Sequence, residues 1–151
     1  MDEVGKDVGD PKKGIFFLGT EFDASKYGPG GHGGEFIAWD PVAGKKVWGI
    51  KESMPFVGGA LSTAGDVVFY GNMQGELKSA NAENGDILWR FQTGSGISRG
   101  PITYEVGGKQ YVAVASGHLL GPPSFMGDTG QKILESTVEG GTLFVFTLPS
   151  Q

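Results

Sequence analysis

The chain has 151 residues, no Cys and a formal net charge of -5. That length suits one ordinary domain. The lack of Cys excludes disulfides, thiolate metal sites and a Cys nucleophile within it, and the acidic balance argues against nucleic acid, whose phosphates call for clustered Lys and Arg. The 28 Gly and 8 Pro, set in a composition that is 38% hydrophobic and 19% charged, predict a globular chain with many tight turns between short strands.

Residues 1–13 read as a polar lead-in, and Met1 to Asp7 lacks the pattern of a secretory signal. The first strand is expected at 14–19, on Ile15-Phe16-Phe17-Leu18-Gly19. Gly28-Pro29-Gly30-Gly31-His32-Gly33 spells G-x-G-x-x-G, but a dinucleotide loop needs a strand before it and a helix N-terminus after it. Here a strand-like segment follows, so the stretch reads as an inter-strand loop. Further strands are predicted at 34–40 and 46–51, then at 58–63, 66–71, 75–81 and 86–92, and finally at 100–104, 110–116 and 141–147. They are rich in Val, Ile, Phe and Tyr, which suit a pleated surface. No helical periodicity runs beyond a turn or two; the best stretch is Thr129 to Val138. No apolar run approaches a membrane span.

The strands fall into copies. Gly34 to Pro41, Gly75 to Ala82 and Gly141 to Leu148 align, each preceded by an apolar run. Gly34 to Gly75 and Trp48 to Trp89 are both 41 positions apart. A period near forty built of short strands is what a four-stranded propeller blade requires. The turns Ala43-Gly44 and Asn84-Gly85 supply residues that tolerate positive φ. The predicted fold is all-β, a partial β-propeller of about two and a half blades over 14–149. The third copy carries an insertion at about 117–140 and lacks an outermost strand, where a ring-closing strand would be expected.

At these residues the chain resembles the C-terminal portion of the PQQ-dependent methanol and ethanol dehydrogenases, quinoproteins with eight-bladed propellers. Ala38-Trp39-Asp40-Pro41-Val42-Ala43-Gly44-Lys45-Lys46-Val47-Trp48 has the form A-x-D-x-x-x-G-K-x-x-W, similar to that family's tryptophan-docking motif. Ser79 to Trp89 is a degenerate copy, with Asn81 for the Asp and Asp86 for the Lys. Gly58 to Gly71, Phe91 to Ile97, Pro101 to Tyr104, Lys109 to Val114 and Gly140 to Pro149 also look like family sequence. In such a motif the Trp stacks on a peptide near the Gly of the neighbouring copy, and the Asp binds backbone N–H groups in its turn. Trp48 and Trp89 are therefore expected to staple neighbouring blades.

The resemblance implies pyrroloquinoline quinone (PQQ) on the ring axis beside Ca²⁺ or a lanthanide, oxidation of primary alcohols to aldehydes, a periplasmic location and a cytochrome c acceptor. It implies that the metal ligands and the catalytic base lie in N-terminal blades outside this chain, so that the chain alone binds no cofactor tightly and is inactive. Two regions match segments that approach the cofactor in the family: Val57 with Gly58, where many members carry a Trp at the Val57 position, and Gly117 with His118. The run His118 to Met126 departs from the family, and Phe125 is a candidate aromatic cap. His32 and His118 have no second His or Cys at ligand spacing, which argues against zinc. Asp128, Glu135 and Glu139 read as solvated surface. The alternative function is a non-catalytic PQQ-repeat scaffold or interaction module. Open sheet edges also suggest self-association.

Overall fold

The computed structural model describes residues 28–117, 121, 123 and 126–148. The strand expected at 14–19 lies outside them, as do His118 and Phe125. In chain order, β1 (Gly34–Asp40) and β2 (Lys45–Glu52) form one antiparallel pair. Strands β3 (Ala60–Ser62), β4 (Val67–Gly71), β5 (Glu76–Asn81) and β6 (Ile87–Gln92) form a four-stranded antiparallel meander. Strands β7 (Ile102–Val106), β8 (Lys109–Gly117) and β9 (Gly141–Thr147) form a three-stranded one. These are the successive sheets of a partial β-propeller.

Short hairpins make each sheet because the turn residues match their geometry. Gly44 and Gly85 adopt φ of 62° and 80°, which costs a Gly nothing sterically. Asp40 Oδ1 accepts the N–H groups of Val42 and Ala43, both at 2.9 Å. Asn81 Oδ1 repeats this in the next copy, accepting from Glu83 at 2.8 Å and Asn84 at 3.2 Å. The Asp-to-Asn change between copies thus keeps the acceptor the turn needs.

Side chains alternate across each strand, and successive sheets stack through facing rows. Phe36 of β1 stacks on Tyr70 of β4 with centroids 4.3 Å apart, and Phe56 meets the same ring edge-on at 5.9 Å. On the opposite face of the middle sheet, Leu77, Ile97 and Val114 form a buried cluster with Phe144 and Phe146 packed on it.

Trp48 behaves as its motif predicts. Its Nε1 donates to Ala82 O at 2.9 Å, and a Cβ built on Gly85 would come within 2.9 Å of the indole. Trp89 bridges the next pair of sheets differently. It stacks with Phe91 at 6.0 Å and meets Phe146 edge-on at 5.2 Å. The Gly that receives Trp48 stands ten residues after Gly75; ten residues after Gly141 the chain has Gln151. With no matching Gly in the third copy, the second indole packs on aromatic side chains.

The one helix among the described residues, α1 (Gly127–Ser136), lies between β8 and β9. It starts two residues before the stretch picked from periodicity and runs for ten residues. Gly127 and Gly130 weaken its intrinsic propensity. Burial compensates: Ile133 is fully buried in a cluster with Met73 and Met126, with Met54 packed against it.

Candidate functional site

Strand directions place four connections at one end of the sheets. These are the linker 53–59, the turn 72–75, the linker 93–101 and the long connection from Gly117 to Gly141. The hairpin turns at 41–44, 63–66, 82–86 and 107–108 lie at the other end. Val57, Gly58 and Gly117 therefore share one rim.

Backbone contacts tie that rim together. A Cβ on Gly58 would meet Ile97 O at 3.4 Å and Gly71 O at 3.7 Å, and one on Gly71 would collide with the Ile97 side chain. The Ile97 N–H donates to Asn72 O, and the Gly117 N–H to Gly96 O, both at 3.0 Å. Thr93 Oγ1 lies 2.8 Å from Gly75 O and from Ser116 Oγ. Ser116 Oγ donates to Ser95 O at 2.7 Å. The connection holding α1 closes over this network: the Val138 N–H donates to Gly94 O at 3.0 Å, and Ser95 Oγ donates to Val138 O. The result is a rim of glycine backbone, with Val57 37% exposed beside it. Such a surface lets a flat ring approach the main chain closely. Among the described residues, no three His, Cys, Asp or Glu side chains come together as metal ligands.

The most concentrated chemistry on this side was not foreseen from sequence. Glu52, at the end of β2, is 5% exposed and lies under the middle sheet. Tyr70 Oη donates to its Oε1 at 2.9 Å, Lys78 Nζ reaches both oxygens at 2.8 and 3.0 Å, and Asn72 Nδ2 donates to Oε2 at 3.1 Å. Lys78 also pairs with Glu76 at 2.9 Å, and Asn72 Nδ2 donates to Glu76 Oε2 at 2.9 Å. Burial pushes the Tyr70 phenol well up, and the hydrogen bond to Glu52 adds to this. Burial also acts to raise the Glu76 carboxyl, but the hydrogen bonds from Lys78 and Asn72 outweigh it and hold the group below its usual range. The sequence carried one signal: Lys78 interrupts a strand that otherwise buries Leu77, Ser79 and Ala80. Glu52 sits 26 residues away, in another copy.

A separate cleft of 1060 Å³ opens between the second and third sheets at the opposite end, lined by Phe69, Leu88, Trp89, Val112 and Phe146 among others. It lies away from Val57, Gly58 and Gly117. The G-x-G-x-x-G loop leads into β1 rather than a helix, as the spacing implied.

Comparison with known proteins agrees with this architecture. The family described as "PQQ: Glucose/ethanol/alcohol dehydrogenase, beta-propeller domain" matches residues 34–112. Quinoprotein alcohol dehydrogenase PedH of Pseudomonas putida is 41% identical over 140 residues, which are 93% of this chain and 23% of that protein. The lanthanide-dependent methanol dehydrogenase of Methylorubrum extorquens is 44% identical over 137 residues, covering 81% of this chain and 23% of that one. The solved structure of a europium-containing methanol dehydrogenase superposes with a TM-score of 0.67 at 35% identity, over 76% of this chain and 23% of its own. The chain thus spans less than a quarter of the length of these relatives. Repeated sheets, a docked indole and similarity along most of its length lead to one conclusion: the chain belongs to the PQQ-dependent glucose/ethanol/alcohol dehydrogenase β-propeller family, of which it is a part-length member.

Proposed function

We propose that the chain forms the C-terminal part of a periplasmic, PQQ-dependent alcohol dehydrogenase that oxidises primary alcohols to aldehydes and passes the electrons to a cytochrome c. The observation that carries this reading is the similarity to quinoprotein alcohol dehydrogenases along 93% of the chain, on sheets joined by Trp48 as the docking motif requires. When bound, PQQ supplies the two-electron acceptor, and Ca²⁺ or a lanthanide polarises its reacting carbonyl. In this reading Val57, Gly58, Gly117 and His118 face the quinone. The glycine rim fits a flat heterocycle, because no side chain stands between the ring and the main chain at Gly58 or Gly117. The metal ligands and the base belong to blades outside this chain, which is inactive alone.

The partners in this reading are those remaining blades. The bare side of β9, which pairs only with β8 among the described residues, also favours self-association when they are missing.

Titration of PQQ with Ca²⁺ or La³⁺, followed by absorbance, tests the proposal. Full-length protein should bind one PQQ and oxidise ethanol with an artificial electron acceptor, while this chain alone should bind none. Tight stoichiometric binding by this chain alone would overturn its dependence on the other blades. Absence of binding by the full-length protein would overturn the enzyme reading and leave a propeller scaffold.

A further inference from the structure

The buried Glu52 carboxylate joins two sheets at the end where the glycine rim lies. Its three donors, Tyr70 Oη, Asn72 Nδ2 and Lys78 Nζ, all come from the middle sheet and the turn that follows β4, whereas Glu52 ends the sheet before. A carboxylate is the one side chain of this length that accepts all three without offering a proton in return. The backbone carbonyl of Glu52 accepts the Gly33 N–H at 2.9 Å, which carries the β1–β2 pairing one residue further and anchors the strand end that holds the carboxylate.

Asn72 carries the constraint onward. Its side-chain carbonyl accepts the Glu76 N–H at 2.9 Å, and its backbone carbonyl accepts the N–H groups of Gly75 at 3.2 Å and Ile97 at 3.0 Å. Ile97 is fully buried, and its side chain fills the space that a Cβ on Gly71 would need. Ile97 O lies over Gly58, and the neighbouring Gly96 O holds the Gly117 N–H. The two glycine segments are far apart in sequence, and each takes its position from Ile97 or Gly96. Both of those sit where Asn72, held by Glu52, puts them.

We propose that Glu52, Lys78 and Asn72 form a positioning device that sets the Gly58 and Gly117 segments in register, and through them the surface offered to the cofactor. The link to the cofactor rests on the PQQ reading above; the link between Glu52 and the two segments does not. The ion pair also accounts for a charged Lys at a site where an apolar residue would bury more cheaply. Removing Lys78 leaves the Glu52 carboxylate buried without a cation, and removing Glu52 leaves Lys78 to the half-buried Glu76 alone, so in either case Asn72 and the strand ends must shift.

Hydrogen exchange on this chain separates positioning from general stability. In Glu52→Gln one acceptor oxygen becomes an NH₂ group that faces the Asn72 and Lys78 donors. The amides of Ile97 and Gly117 should then exchange at least tenfold faster, with those inside the β8–β9 ladder little changed. Tyr70→Phe removes a single hydrogen bond, keeps the ring stack on Phe36, and should give a smaller change at the same two amides. Trp48→Phe loosens the same pair of sheets at the opposite end and should leave both amides unchanged. Equal acceleration at all sites in Glu52→Gln, or less than a twofold change at Ile97 and Gly117, would overturn the proposal. In full-length protein, Glu52→Gln should raise the PQQ dissociation constant about tenfold and Trp48→Phe should not. Failure of the unaltered full-length protein to bind PQQ would overturn the functional reading while leaving the exchange result intact.

Discussion

Trp48 lies against the backbone of Gly85, one repeat further along the chain, and its indole N–H donates to Ala82 O at 2.9 Å. A single side chain thus closes the gap between the first two sheets by both shape and a hydrogen bond. Trp48→Ala should destabilise the chain by about 3 kcal/mol, at the lower end for buried aromatic truncations because the ring is only partly buried. Gly85→Ala should also destabilise, by about 1–2 kcal/mol from its φ of 80° alone, with more for displacing the indole. Urea melts followed by Trp fluorescence would check both, and unchanged midpoints would refute the docking role.

Ile133 holds α1 against the middle sheet through Met73 and Met126. Ile133→Ala should remove about 2–5 kcal/mol from that contact. Its effect should show first as opening of the Gly117–Gly141 connection, since the sheet hydrogen bonds do not pass through the helix. Limited proteolysis should cut the variant within this connection before any strand, and cleavage no faster than in the parent chain would count against it.

Acid should weaken the side-chain network at this end of the middle sheet. The Glu76 carboxyl sits below its ordinary value of 4.5, held there against burial by Lys78 and Asn72. A group depressed in the folded state contributes stability that is complete above the unfolded value and is lost as the pH falls through the folded one. Melting temperature should therefore drop below about pH 4.5, and the drop should be shallower in Glu76→Gln. At the alkaline end the sign reverses. The Tyr70 phenol is raised by burial and by Glu52, so it stabilises the fold below the unfolded value, about 10, and loses that effect as the pH climbs toward the folded one. Spectrophotometric titration of Tyr70→Phe should lose the tyrosine that ionises at the highest pH.

The outer face of the third sheet is bare. Ile102, Tyr104, Leu143 and Val145 are all more than 40% exposed on one side of it. In the repeat Leu143 and Val145 correspond to Leu77 and Ser79, which face the next sheet. A row of this kind drives association. The chain should scatter more light as its concentration rises, and Val145→Lys with Ile102→Lys should abolish the rise. If the double variant and the parent chain scatter alike, this face does not mediate association.

Much of the fold was legible because it is written more than once. Gly34 and Gly75, and Trp48 and Trp89, keep their spacing, so all nine observed strands fall within two residues of the predicted bounds at both ends; β3, which starts two residues late and is shorter, and β7, which is displaced by two, depart most. The helix was only half legible: Gly127 and Gly130 mask its periodicity, and its burial depends on Met73, more than fifty positions earlier. Trp89 departed from expectation because its receiving Gly has no counterpart. The Glu52 cluster could not be read at all, because the residue matching Lys78 one copy earlier is Ile37, which is exposed. A device used once leaves no periodic trace. At the rim, Val57, Gly58 and Gly117 lie at the same end of the sheets, and nothing in the sequence marks Ile97, the residue between them.

In a chain of stacked repeats each unit touches only its neighbours, so damage to one fades along the array and units can come apart singly. The helical excursion between β8 and β9 breaks that rule. It leaves the third sheet, passes over the second, and meets Met54, which belongs to the strip joining the first to the second. All three units are thereby bound into one cooperative body, and the chain should melt in a single step, where a plain row of blades would peel away from its ends.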